Sequence, residues 1–199
     1  MAEAANMPRI TYTEYLGLEL RMDARHEFLN GEAWAMAGGS PRHSRIKMNL
    51  YGLFFNTLGD GPCQPYDSDL KIRVVETGLA TYPDLAVVCW PLEPHTDDRN
   101  AVTNPVVLVE VLSGSTEAWD RGGKFAHYRR IPSLQHYVLV SQNIERIEHF
   151  VRQEGGSWQL TEHGPGEVVV LKATGQKIPI DEVYRNLPPG EHSRRIQDQ

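Results

Sequence analysis

The sequence predicts an α/β protein: a mixed central sheet flanked by helices, with additional antiparallel strands toward the C-terminal end. Three observations carry this expectation. Short runs of β-branched and aliphatic residues, PDLAVVCW (83–90), PVVLVEVL (105–112) and LQHYVLVS (134–141), read as buried strands. Stretches with helical spacing lie before and between them. Beyond about Ile144 the pattern becomes alternating segments separated by glycine-rich turns.

Taken in order, Thr11 caps a short helix running through Tyr15 and Leu18, with Glu14 as its capping-box partner. In RHEFLNGEAWAMA (25–37), two short alternating strands flank Asn30-Gly31, a strong hairpin signal. Ser40-Pro41 opens a helix with Ile46, Leu50, Leu53 and Phe54 on one face, ending near Gly59-Asp60-Gly61. QPYDSDLKIRVV (64–75) reads as a strand leading into the two apolar runs at 83–90 and 105–112. STEAWDRGGKFAHYRRIP (115–132) reads as a helix that stops before Pro132. ERIEHFVRQ, SWQLTEHG, GEVVVL and KIPI then alternate like antiparallel strands, DEVYRNL closes with a helical turn, and about 190–199 forms a frayed tail.

At 199 residues the chain is expected to form one domain, with a core at about 11–185. A composition of 40% hydrophobic and 23% charged residues excludes a mainly disordered chain. The opening MAEAANMPRI lacks the apolar core of a signal peptide, and no stretch approaches the roughly 20 apolar residues of a membrane span. Cys63 and Cys89 make no metal-binding spacing, so reduced thiols and a cytoplasmic setting are expected. A formal net charge of −6 weighs against tight nucleic-acid binding driven by global charge, while leaving room for a locally basic groove.

The chemistry centres on Glu110, a carboxylate inside an aliphatic strand. Burying it costs several kcal/mol unless something pairs with it. Strand side chains alternate, so Asp84, Ala86 and Val88 share one face, as do Leu108, Glu110 and Leu112. If these strands are neighbours in register, Asp84 and Glu110 lie within a few ångströms, since paired strands run about 4.8 Å apart. Two such carboxylates call for a cation, and all-oxygen ligands suit magnesium or manganese. Lys124, on the helix after the Glu110 strand, shares a helix face with Arg121 and Tyr128 and can orient a metal-bound water or stabilise charge on a phosphorane. Gly122-Gly123 inside that helix is tolerated where the backbone must approach something closely. Glu27, in the first hairpin, is a further candidate at the metal, against the alternative of an ordinary strand residue. His43 stands where it can reach a phosphate, and Asp67 and Asp69 read as turn residues. No zinc spacing, nucleophile elbow, Walker A or dinucleotide motif occurs.

These residues resemble a known family. YPD, VEVLS-x-ST, DR-x-x-K-x-x-x-Y and P-x-L-x-x-Y-x-L-V, in that order, are similar to the Uma-type "putative restriction endonuclease" family of the PD-(D/E)xK nuclease superfamily. The resemblance spans nearly the whole chain. It implies a restriction-endonuclease-like core and a magnesium- or manganese-dependent phosphodiesterase site, with Asp84 as the PD aspartate, Glu110 as the acidic residue of the next strand and Glu27 as the hairpin glutamate. Leu112 stands where E-x-K would place lysine, and the resemblance assigns that lysine to Lys124 on the following helix. Gly114 stands where relatives often carry proline.

The expected function is therefore a metal-dependent endonuclease acting on DNA, with Asp84, Glu110 and Glu27 at the metal and Lys124 beside the water. The alternatives are a nuclease-fold module that binds a protein or nucleic acid without cleaving it, and a hydrolase of smaller phosphate esters. A duplex requires two cuts, so a homodimer is expected, with the C-terminal strands as its edges.

Overall fold

The computed structural model describes residues 9–36 and 38–188. The expected frayed tail at about 190–199 lies outside the described residues.

Helix α1 (Tyr12–Glu19) begins at a capping box: the Thr11 side chain accepts from the Glu14 amide while Glu14 accepts from the Thr11 amide. Strands β1 (His26–Leu29) and β2 (Glu32–Ala35) form the expected hairpin. Its turn places Asn30 and Gly31 at φ 52° and 86°, the left-handed pair that such a two-residue turn requires. Helix α2 (Pro41–Leu58) is capped by Ser40 and buries Ile46, Leu50 and Phe54.

The stretch read as one strand at 64–75 is two. β3 (Cys63–Asp67) and β4 (Lys71–Val74) belong to different sheets, because a turn at 68–70 redirects the chain. There follow β5 (Leu79–Thr81), β6 (Leu85–Cys89), β7 (Pro94–His95), β8 (Asp98–Val102) and β9 (Pro105–Leu112). The expected helix after β9 is a π-helix, Trp119–Lys124, continuing into α3 (Phe125–Tyr128). β10 (His136–Ser141), β11 (Ile147–Arg152), β12 (Trp158–His163), β13 (Val168–Leu171), β14 (Gln176–Pro179) and α4 (Ile180–Val183) complete the order.

The central sheet runs β12-β11-β10-β9-β6-β3, antiparallel except for the β9–β10 pair. A second sheet runs β2-β1-β5-β4-β8-β7, and β13-β14 form a separate ribbon. Alternation along β6, β9 and β10 divides the core. Leu85, Val87, Val107, Val109, Val111, Val138 and Val140 pack with α2, the β13–β14 ribbon and α4. On the opposite face, Ala86, Val88, Leu108, Leu112, Tyr137 and Leu139 pack with Ile72 and Val74 of β4, Leu79 of β5 and Tyr128 of α3. Burial on both faces is the reason β9 reads as an unbroken apolar run, and it makes Glu110 an exception that needs partners.

Cys63 and Cys89 face one another across β3 and β6 and form a disulfide. This corrects the reading of two separate reduced thiols: they lie 26 residues apart in sequence, and the antiparallel register sets them opposite. No helix among the described residues is long and apolar enough to cross a membrane.

Candidate active site

The β6–β9 register pairs Leu85 with Val109 and Ala86 with Leu108. Asp84, one residue before β6, therefore stands beside Glu110. Its amide nitrogen lies 3.4 Å from Glu110 Oε2, and the Val111 amide donates to Asp84 Oδ2 at 2.8 Å. The adjacency expected from sequence is present, but the two carboxylates face different partners. Asp84 meets α2, with His43 Nε2 at 3.3 Å and Lys47 Nζ at 3.0 Å, and the Tyr51 hydroxyl donates to the Asp84 carbonyl at 2.6 Å. Glu110 takes the opposite side, accepting from Lys124 Nζ at 3.1 Å and from the Tyr128 hydroxyl at 2.9 Å.

Lys124 is the hub. Its ammonium lies 3.0 Å from Glu27 Oε1, 3.1 Å from Glu110 Oε1 and 3.2 Å from Asp120 Oδ1, with only 7% of the side chain exposed. The π-helical winding alters the face expected from regular α spacing. Lys124 and Tyr128 point inward, while Arg121 pairs with Glu117 and Glu148 farther out. π turns of this kind occur frequently at functional sites. The close approach anticipated for Gly122-Gly123 is at Gly123, where a Cβ would lie 1.8 Å from Trp119 Cε3. The bare backbone there admits the Trp119 ring.

Glu27 is buried on β1 with both oxygens occupied. Oε1 accepts from the Thr81 hydroxyl and forms an ion pair with Lys124 Nζ at 3.0 Å, and Oε2 accepts from Trp34 Nε1 at 3.1 Å and Trp119 Nε1 at 3.3 Å. The two indoles meet edge to face, with ring centroids 6.0 Å apart.

Charge around Lys124 is unbalanced, because Glu27, Glu110 and Asp120 share a single ammonium. Burial pushes the Glu110 carboxyl up to about 8; Lys124 opposes the rise, while Asp120, Asp84 and Glu27 add to it. Burial likewise raises Asp120. For Lys124, burial disfavours the charge, but Glu110, Glu27 and Asp120 outweigh it and hold the ammonium well above its ordinary range. Asp84 goes the other way: burial opposes its ionisation, but His43, Lys47 and the Val111 amide prevail and hold it below the usual carboxylate range. The two carboxylates are thus driven apart, a pattern found where acid–base or metal chemistry is done.

Among the described residues, no three His, Cys, Asp or Glu side chains converge as a ready-made metal cage. The donor chemistry nevertheless fits a hard divalent cation. Asp84 and Glu110 offer oxygen donors from adjoining strands, the Lys124 cluster carries surplus negative charge, and among the described residues Glu110 Oε2 has only the long contact to the Asp84 amide.

Of the residues picked out from sequence, Asp84, Glu110, Lys124 and Glu27 fall in one neighbourhood. His43 is there too, against Asp84. Asp67 caps the turn, accepting from the Asp69 amide at 3.0 Å. Tyr128 lies on the Lys124 face as the helical spacing indicated, whereas Asp120, Lys47, Thr81, Trp34 and Trp119 were not anticipated in the site. Helical spacing held part of that signal, since Lys47 follows His43 by four residues and Asp120 precedes Lys124 by four. Nothing local in the sequence points Thr81 or the two tryptophans at Glu27.

Comparison with known proteins supplies a further finding. Residues 12–180 match the model of a family described as "Uma2: Putative restriction endonuclease". A Synechocystis protein described as uncharacterized is 40% identical over 184 residues, covering 92% of this chain and 96% of the relative. A second uncharacterized Synechocystis protein is 35% identical over 162 residues, covering 81% and 92%. A crystal structure from Anabaena variabilis, described as "a putative nuclease belonging to DUF820", superimposes with a TM-score of 0.67 at 14% identity, covering 85% of this chain and 96% of that one. At that identity the likeness speaks for the fold.

Proposed function

The chain belongs to the Uma2 family, and from that premise we propose that it is a nuclease hydrolysing DNA phosphodiester bonds with magnesium or manganese at Asp84 and Glu110. The observation that carries this reading is the buried Lys124 ammonium on Glu110, in a strand whose neighbour begins beside Asp84. Held by Asp84 and Glu110, a divalent ion would lower the pKa of a bound water and polarise a phosphoryl oxygen. The protein's own residues do the rest. His43 and Lys47 keep Asp84 ionised and ready to act as a donor. Lys124 stays protonated and would oppose the charge that builds on the phosphoryl oxygens. Tyr128 fixes Glu110 Oε1, leaving Oε2 toward Asp84.

A duplex needs two cuts, and each chain offers one such site, so the proposed assembly is a homodimer. β12 ends the central sheet, and Leu160, Val168 and Val170 expose apolar surface near the C-terminal strands, which makes this region the proposed interface.

The net charge of −6 favours a second reading, a nuclease-fold binding module that does not cleave. Incubating purified protein with supercoiled plasmid separates the two. Nicking or linearisation with magnesium or manganese, abolished by EDTA, supports the nuclease. Binding of DNA without cleavage under any metal supports the module.

A further inference from the structure

We propose that Glu27 is a positioning residue that holds the Lys124 ammonium, clamped by the indole N–H groups of Trp34 and Trp119, rather than a metal ligand. The inference rests on the nuclease reading above and changes the part given to Glu27 in the sequence analysis.

A carboxylate offers about four acceptor sites. Both Glu27 oxygens are engaged: Thr81 donates to Oε1, which also pairs with the Lys124 ammonium at 3.0 Å, and Trp34 and Trp119 donate to Oε2. A metal could bind only by displacing a buried donor, leaving that donor unsatisfied at appreciable cost. Glu110 Oε2, by contrast, has a single long contact among the described residues.

The clamp also has a geometric logic. Trp34 comes from β2, directly opposite Glu27 in the hairpin register, so its indole reaches across one strand pair. Trp119 comes from the π-helix that carries Lys124, so one element supplies both the clamp and the held group. Gly123 removes the Cβ that would collide with the Trp119 ring. Glu27 therefore ties the first hairpin to the π-helix and sets where the ammonium stands relative to Glu110. Two rigid aromatic donors suit that task because they reach a buried oxygen with few rotatable bonds.

The test uses Glu27→Gln and a Trp34→Phe/Trp119→Phe double variant, which keeps both rings and deletes the N–H donors. Amine acetylation read by peptide mass spectrometry reports on Lys124. Lys71, equally buried and paired with Asp98 at 2.9 Å, serves as an internal control for general loosening. In both variants, Lys124 acetylation is expected to rise about tenfold while Lys71 stays unchanged and manganese affinity stays within about twofold of wild type. Cleavage by Glu27→Gln is expected to lose kcat with KM unchanged. A fall in manganese affinity of about tenfold or more in Glu27→Gln would make Glu27 a ligand and overturn the proposal. Parallel acceleration at Lys124 and Lys71, or no change at either, would overturn it as well. If wild-type protein neither binds manganese nor cleaves DNA, the nuclease reading fails, and the acetylation comparison still decides whether the clamp exists.

Discussion

Lys124 Nζ lies 3.1 Å from Glu110 Oε1, joining a buried ammonium on the π-helix to a buried carboxylate in the middle of an aliphatic strand. Fourteen residues separate them in sequence. Neither would be stable there alone, since an isolated buried charge costs several kcal/mol. Their pairing, with Asp84 one strand away, is the centre of the functional reading.

Removing the cation should expose the imbalance it conceals. Lys124→Ala leaves Glu27, Glu110 and Asp120 without an ammonium. In EDTA the variant should lose about 3 to 5 kcal/mol of stability by chemical denaturation. With manganese its cleavage rate should fall by about a hundredfold or more, with metal affinity retained. Wild-type cleavage by the variant would show that another group carries the role given to Lys124.

Glu110 predicts a pH dependence of the metal-free protein. Its folded value, about 8, is raised above the ordinary 4.5, so protonation favours the folded state. That stability is fully present below 4.5 and is lost as pH rises through about 8. Melts in EDTA should therefore fall across the neutral to mildly alkaline range, and Glu110→Gln should flatten the fall while remaining at least as stable as wild type. A wild-type curve that rises over that range contradicts the assignment.

A second pair acts in the acid range. The Ala173 amide donates to His136 Nε2 at 3.2 Å, so His136 carries its proton on Nδ1 and donates to His149 Nε2 at 2.9 Å. Protonating either ring would set hydrogen against hydrogen. Burial lowers His136 to about 4; burial, with His136 and His163, lowers His149 to about 3. Both lie below the ordinary 6.5, so the stability they give is present above 6.5 and is lost as pH falls toward about 4. Thermal melts should fall over that range, and less steeply for His149→Gln. Equal slopes for the two proteins would remove the pair from the account.

How much of this was legible in the sequence follows from the range of each interaction. The Thr11–Glu14 cap, the Asn30-Gly31 turn and the Ile46/Leu50/Phe54 face are local patterns, and the chain displays them directly. The Asp84–Glu110 adjacency was also readable, because alternation and antiparallel pairing leave few registers for two aliphatic strands. Other features depend on the third dimension. The break at 68–70 sends β4 into a different sheet, and the Cys63–Cys89 bond depends on a register that spacing does not reveal. The π-helix turned Arg121 away from the face it would share with Lys124 in a regular α-helix. Thr81, Trp34 and Trp119 reach Glu27 from three separate elements, which no short window contains.

The assembly offers an independent check. Sedimentation at concentrations on the order of tens of micromolar should give a homodimer, and Val168→Lys/Val170→Lys should shift it to monomer. Clean double-strand cleavage by a protein that sediments as a monomer would contradict the proposed interface.

The most direct test of the central claim is a calorimetric manganese titration of the wild-type protein beside Asp84→Asn and Glu110→Gln. The account predicts saturable binding to wild type, with affinity reduced about tenfold or more in each variant. At about a hundred times the dissociation constant the ion should add roughly 2.7 kcal/mol to wild-type stability, a melting shift of about 5 to 11 °C. Wild type that binds no manganese, or variants that bind it as tightly as wild type, would contradict the claim that Asp84 and Glu110 form a metal site.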